Sequence, residues 1–76
     1  MNLFEIVFEV TETCMNGNER RLKKSVYSPR FGENGRLITE PQSIAKGVEV
    51  LKQMHYYDIT YIKTKAVTLL MTEDLT

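Results

Sequence analysis

Apolar side chains occur on both faces of the first predicted β-strand, residues 3–10 (LFEIVFEV). Successive side chains of a strand point to opposite faces of the sheet, so each face carries every second residue. One face holds four large apolar residues: Phe4, Ile6, Phe8 and Val10. The other face holds Leu3 and Val7 beside two glutamates. The chain predicts only one convincing helix, and one helix covers one face. We therefore expect a second copy of the chain or a different protein to cover the other.

An Asn16-Gly17 dipeptide separates this strand from a second extended run, residues 19–28. Asn-Gly favours a type I′ hairpin turn, because both residues tolerate positive φ. A two-residue turn pairs Val7 with Val26 and places Val26 on the face opposite Phe8. A one-residue bulge instead places Val26 on the same face as Phe8. Both registers set acidic residues across from basic ones, and the pattern leaves the two open.

A helix start is predicted where Thr39 is followed three residues later by Gln42, the spacing of a capping box. Pro41 is tolerated in the first turn, where its missing N–H breaks no helical hydrogen bond. We expect the helix to run from about Pro41 to Met54, with Gly47 marking a close approach to the sheet. Three residues form its apolar stripe: Ile44, Val48 and Leu51.

The C-terminal third is rich in strand-forming residues, with one predicted strand over residues 56–65 and another β-rich run over residues 66–72. These two runs form either one long bent strand or a hairpin turning near residues 63–65, and residues 72–76 are predicted to be a frayed tail. Alternation places Tyr57 and Tyr61 on one face and Tyr56 on the other. The predicted fold class is α+β: a single-layer β-sheet with one helix packed on one face, in the order β-β-α-β(-β).

The length of 76 residues fits a single domain, residues 1–76, and the formal net charge is zero. The longest nearly uncharged apolar run, residues 66–71, is far shorter than the roughly 18 residues that span a bilayer. Acidic residues stand near the N-terminus, where a signal peptide carries basic ones. We therefore expect a cytoplasmic protein with no membrane role.

Candidate catalytic chemistry is limited to Cys14 and His55, each the only residue of its type. The acidic neighbours Glu12 and Glu19 disfavour a reactive thiolate at Cys14. One cysteine and one histidine cannot complete a tetrahedral zinc site within one chain. We predict no catalytic residue, no metal site and no cofactor, and we expect that the protein is not an enzyme and has no small-molecule substrate.

A basic segment interleaved with aromatic residues follows the predicted turn. It contains Arg20, Arg21, Lys23, Lys24, Tyr27, Arg30, Phe31 and Arg36. Such a β-ribbon can follow a phosphate backbone and stack on unpaired bases, which makes nucleic-acid binding the alternative function. Alternation along the strand divides the four N-terminal cations between two faces, and the domain as a whole is neutral, which argues against this function.

The two-faced apolar pattern predicts a protein-binding surface on the face away from the helix. Its candidate partner-binding residues are Leu3, Val7, Ile62 and Leu70. An exposed apolar patch of this kind is typical of an interaction site. The function predicted first is therefore a small non-enzymatic protein-binding module, a regulator, inhibitor or accessory subunit. We expect it to bind another protein or itself, as a homodimer associated through the sheet.

Overall fold

A computed structural model of the protein describes residues 3–67 and the backbone of residues 72–74. Within these residues, four strands and one helix follow in the order β1 (Leu3–Thr13), β2 (Glu19–Pro29), α1 (Glu40–Gln53), β3 (Tyr57–Val67) and β4 (Thr72–Asp74). The strands form one antiparallel sheet in the order β2-β1-β3-β4. The predicted α+β class and the order β-β-α-β, with a further short strand, are confirmed.

The hydrophobic core lies between α1 and one face of the sheet, here called the helix face. The four alternate apolar residues of β1 are buried there as predicted, and Leu51 of α1 packs against them. Partly buried apolar residues surround this cluster: Leu22, Val26, Ile44, Val48, Tyr56, Ile59 and Tyr61. The opposite face, here called the open face, carries the other alternate residues of β1 and β2 and has no helix against it within the described residues.

The β1–β2 register is the bulged alternative, and the two-residue turn is wrong. Val26 lies opposite Ile6, which puts it on the helix face. The connection is a three-residue loop, residues 15–17, in which the Gly17 N–H donates to the Cys14 carbonyl (2.9 Å). Within this loop only Gly17 has positive φ (85°), as in a type I turn followed by a glycine bulge. Asn-Gly suits this turn as well as type I′, so the dipeptide alone does not set the register.

Strand β3 runs through residues 63–65 without turning, because Lys63 and Lys65 pair with β1. The predicted hairpin turn at this point is therefore wrong, and so is a single long strand, since β3 ends at Val67 and β4 pairs back onto it. Residues 72–74, predicted to be part of a frayed tail, form β4.

Two register shifts between β1 and β3 change which residues of β3 share a face. Near Asp58 (φ 49°) a bulge places Tyr57 opposite Thr11 on the open face, while Tyr61 packs in the core. The prediction that Tyr57 and Tyr61 lie on the same face is therefore wrong, because an extra residue between them reverses the alternation. The second shift lies between Val7 and Phe8 of β1, where Ile62 is an extra residue of β3.

Helix α1 begins with the predicted capping box. The Thr39 hydroxyl accepts from the Gln42 N–H (3.4 Å), and the Gln42 side chain accepts from the Thr39 N–H (3.0 Å). At the other end, the N–H groups of His55 and Tyr56 donate to carbonyls of the last helical turn. These two hydrogen bonds together form a Schellman cap, with His55 (φ 69°) in the left-handed position where glycine is usual.

Replacing His55 with glycine is expected to stabilise the protein by about 0.5–1 kcal/mol, because glycine adopts the left-handed conformation without strain from a β-carbon. His55 is exposed and follows the helix, so the substitution removes no core contact. Urea denaturation of both proteins measures the change. His55→Ala is the control, since alanine keeps the β-carbon and should give no gain. A loss of stability in both variants would mean that the imidazole itself stabilises the helix end.

Candidate binding surface

The outer edge of β2 carries backbone groups that pair with no other strand of the described residues, because β2 is the terminal strand of the sheet. Across the hairpin, the Cys14 N–H donates to the Asn18 carbonyl (2.6 Å). Backbone hydrogen bonds between antiparallel strands occur at every second residue, so the even-numbered residues of β2 direct their N–H and carbonyl groups toward β1. The odd-numbered residues direct their backbone groups outward; of these, Arg21, Lys23, Ser25 and Tyr27 define the β2 edge.

Pro29 occupies a position that agrees with this assignment. It pairs with Leu3 at an odd-numbered position of β2, where a backbone N–H would point away from β1. Proline therefore removes no hydrogen bond from the β1–β2 ladder. The free edge extends along a strand of 11 residues, which is long for an edge that no other described element covers.

A small groove separates the end of β2 from α1. It has a volume of about 50 Å³ and is lined by β2 residues 26–29 and by one row of α1: Ser43, Lys46, Gly47 and Val50. A hydrogen bond between the hydroxyls of Ser28 and Ser43 (2.9 Å) joins the two elements and satisfies both buried groups.

Helix α1 approaches the sheet closely at Gly47, which is one of the residues that line the groove. A β-carbon added at Gly47 would lie 2.9 Å from Cε2 of the Phe8 ring and 3.6 Å from Cβ of Val26. The predicted close approach of α1 to the sheet at Gly47 is confirmed. Val50 and Ser43 were not among the predicted site residues. Their one signal in the sequence is the i, i+4, i+7 spacing of Ser43, Gly47 and Val50 beside the main apolar stripe.

Three of the four predicted partner-binding residues are described, and these three do not form an exposed apolar patch. Val7 lies on the open face, but only 8% of it is exposed, between the cross-strand neighbours Ser25 and Lys63. Leu3 is half-buried, and Ile62, at the bulge, is 38% exposed. Leu70 lies outside the described residues. Long polar side chains can cover apolar positions of a sheet with their apolar stems, which an alternation pattern does not reveal.

Arg21 crosses the open face and connects three strands. Its guanidinium donates to the hydroxyls of Thr11 (2.9 Å) on β1 and Thr60 (3.0 Å) on β3, and to the carbonyl of Asp58. Its Nε lies 3.5 Å from a carboxylate oxygen of Glu9. Arg21 therefore joins β2, β1 and β3 at the point where β3 bulges.

Three further cations of the basic segment are in contact with residues of the same chain. Arg20 forms an ion pair with Glu12, and the hydrogen bond to this carboxylate raises the pKa of Arg20. Lys24 Nζ lies 5.5 Å from the centre of the Tyr56 ring. Arg30 lies over the Phe4 ring in the same way, 5.2 Å from its centre. As predicted, the hairpin cations divide between the two faces of the sheet.

The remaining predicted residues are exposed. Lys23 lies in the middle of the β2 edge, and Tyr27, 59% exposed, lies near its end. Phe31 belongs to a second small hairpin in which it pairs with Leu37, and both side chains are more than half exposed. Arg36 is exposed in the same hairpin.

This second hairpin repeats the turn geometry of the first. The Gly35 N–H donates to the Gly32 carbonyl (2.9 Å), and Gly35 alone in the turn has positive φ (78°). The side chain of the asparagine before the glycine accepts a backbone N–H in both turns: Asn16 from Asn18, and Asn34 from Arg36 (3.0 Å each). Both Asn-Gly dipeptides of the chain therefore form glycine-bulge turns.

The structure places no catalytic arrangement around the two residues considered for chemistry. Cys14 is a half-buried free thiol beside the first turn, and His55 is exposed at the helix end. Among the described residues, no three or more histidine, cysteine or acidic side chains form a group that could hold a metal ion. No helix of the described part is long and apolar enough to cross a membrane. Comparison of the chain with protein-family models, curated proteins and solved structures found no match.

Proposed function

We propose that the protein is a small non-enzymatic protein-binding module, a regulator, inhibitor or accessory subunit, which binds its partner along the β2 edge. The observation that carries this proposal is the long β2 edge, which pairs with no further strand of the described residues and lies beside an apolar groove. Natural sheets usually shorten, bulge or cover such edges, because unpaired backbone groups recruit further strands. Extended segments bind sheet edges through these same groups in a known mode of peptide recognition.

The groove is too small for catalysis on a bound substrate. Sites for small molecules generally enclose about 300–1,000 Å³, whereas this groove has about 50 Å³. It can accept one side chain of a partner, which fits recognition of a protein segment.

Nucleic-acid binding is supported less well by the basic segment. Arg20 and Arg21 hold carboxylates, and Lys24 and Arg30 lie against aromatic rings of the same chain. Of the six cations predicted for this role, Lys23 and Arg36 are the ones with no such contact among the described residues. A phosphate backbone would have to compete with these internal contacts, so we propose this function only as the alternative.

Ser25→Pro tests the proposed function. The backbone N–H of Ser25 points away from β1. Proline at this position should therefore leave the β1–β2 ladder intact, while it removes a hydrogen-bond donor from the edge and blocks strand addition. Met15→Pro is the matched control, because Met15 is exposed at the second position of the turn, where proline is favoured. The experiment is a tagged pull-down from the native host after nuclease treatment, read by mass spectrometry with all three proteins.

We expect the unchanged protein and the Met15→Pro protein to retain the same partner in near-equal amounts, and the Ser25→Pro protein to lose it. Circular dichroism should show that all three are folded. Loss of the captured material on nuclease treatment would instead favour nucleic-acid binding. Capture that Ser25→Pro does not reduce would rule out the β2 edge as the binding surface.

A further inference from the structure

We infer that the β2 edge and its groove bind an extended acidic segment of another protein, which joins the sheet beside β2 and places an aliphatic side chain in the groove. This inference rests on the proposed function and adds the chemistry of the partner. Three features of the described residues support it: the spacing of the free backbone groups, the position of the groove and the distribution of charge.

The free backbone groups have the spacing that an added strand requires. The outward N–H and carbonyl groups belong to Arg21, Lys23, Ser25 and Tyr27, one residue in every two. An antiparallel segment bonds at the same interval and shares the alternation of β2. Its side chains opposite even-numbered residues of β2 therefore lie on the helix face, and the others lie on the open face.

The groove lies where helix-face side chains of an added segment would fall. Val26 and Ser28 are even-numbered residues of β2 and line it, and Gly47 and Val50 form its wall on α1. A cavity of about 10–15 Å³, measured in the same way, holds one water molecule, so about 50 Å³ suits a side chain of a few carbon atoms. A segment with valine or a similar residue opposite Val26 or Ser28 fits this space.

The charge near the edge favours an acidic segment. Of the four cations in residues 20–24, Arg20 and Arg21 pair with carboxylates of β1, so Lys23 and Lys24 carry the positive charge of the edge. Lys46 lines the groove, which has no acidic residue in its lining. Lys23 is exposed on the open face at the middle of the edge. Further along, Glu5 accepts a hydrogen bond from the Ser25 hydroxyl (2.8 Å). The acidic residues of the segment therefore belong opposite Lys23 and its neighbours, and neutral residues belong opposite Ser25.

A second copy of the chain fits this edge less well. Two β2 strands paired antiparallel about a two-fold axis near their centres, at residue 24, would set Lys24 opposite the same lysine of the other copy, with Lys23 of each copy beside this pair. Like charges across a strand pair are destabilising. The predicted homodimer is therefore not the occupant that we infer for the β2 edge.

The test uses two synthetic peptides and amide hydrogen exchange measured by NMR. The acidic peptide has about nine residues, to span residues 21–29 antiparallel with one residue opposite each. It carries glutamate opposite Lys23 and Lys24, valine opposite Val26 and Ser28, and threonine elsewhere. The second peptide has lysine in place of both glutamates. The full chain is the binding protein in every titration.

We expect a specific exchange pattern on binding. Without peptide, the amides of Lys24 and Val26 are protected by the β1 ladder, while those of Lys23, Ser25 and Tyr27 exchange rapidly. The acidic peptide should protect these three odd-numbered amides. The lysine peptide should bind about tenfold more weakly or worse, because it places like charges at the edge.

Two variants of α1 test the groove. Val50→Phe fills it and should weaken binding of the acidic peptide by about tenfold, because the valine of the peptide loses its site. Glu49→Phe is the matched control: Glu49 is exposed on the same helix and does not line the groove, so its binding should be unchanged.

The remaining outcomes would overturn the inference. Equal binding of the two peptides would contradict the inference that the partner segment is acidic. Protection of the odd-numbered amides at high protein concentration without peptide would show that a second copy of the chain binds the edge. If neither peptide protects them, the inferred segment is wrong. The proposed function would still stand if the Ser25→Pro protein loses the captured partner, so the two failures can be told apart.

Discussion

Replacing Gly47 with alanine is expected to destabilise the protein by about 1 kcal/mol, although alanine favours helix more than any other residue. The helix propensity alone would give a gain of about 1 kcal/mol. The new β-carbon would lie 2.9 Å from Cε2 and 3.1 Å from Cζ of the Phe8 ring, which is fully buried and packs edge-to-face against Tyr61. Overpacking of this kind costs about 1–3 kcal/mol, so the loss exceeds the gain.

The same substitution should become stabilising when Phe8 is leucine. Leucine has no atoms at the positions of Cε2 and Cζ, so the added β-carbon meets no close neighbour there and the propensity gain remains. Urea denaturation of the two single variants and the double variant forms a double-mutant cycle, with an expected coupling of about 2 kcal/mol. Additive effects of Gly47→Ala and Phe8→Leu would show that the contact between helix and ring does not limit position 47.

The sequence predicts the core well because apolar residues recur at a regular spacing in β1 and α1, each of which buries one of its sides. The alternation in β1, the capping box of Thr39 and Gln42, and the helical stripe around Gly47 each follow from local spacing. These features place α1 on the correct face of the sheet. They depend only on residues close together in the chain, so no knowledge of strand pairing is required.

Strand register is harder to predict from the sequence, because it depends on single residues that no sequence pattern distinguishes. Asn16-Gly17 fits two kinds of turn, and the choice between them moves Val26 from one face to the other. The bulges of β3 occur at Asp58 and Ile62, where no glycine or proline marks an irregularity. An alternation pattern carried across these points assigns Tyr57 to the wrong face.

The candidate site was only partly predictable for the same reason. A chain with several predicted strands implies free sheet edges, but only the sheet order shows that β2 is a terminal strand. The groove lies between the end of β2 and α1, so it follows only from the packing of these two elements. The predicted apolar face depends on Val7, whose burial comes from neighbours on two other strands. Long-range pairing therefore decides which predicted surface is available.

Replacing Arg21 with methionine is expected to destabilise the protein by about 2 kcal/mol. Methionine keeps an unbranched apolar stem but loses the hydrogen bonds to Thr11, Asp58 and Thr60. Hydrogen bonds to charged groups contribute about 1.5–3 kcal/mol each. The Arg21 side chain is partly exposed, so solvent weakens each of these bonds and the total stays near the value for one.

Two further variants separate this role from a general effect of charge. Arg21→Lys should recover less than half of the loss, because a single ammonium group cannot reach acceptors on both β1 and β3. Lys23→Met removes the next cation on the same face, which is exposed, and should change the free energy of unfolding by no more than about 0.5 kcal/mol. Urea denaturation measures all three variants. Equal effects of Arg21→Met and Lys23→Met would mean that the contacts across the three strands add nothing. A loss confined to Arg21 would show that this cation holds the sheet together, which leaves Lys23 as the cation of the β2 edge available to a partner.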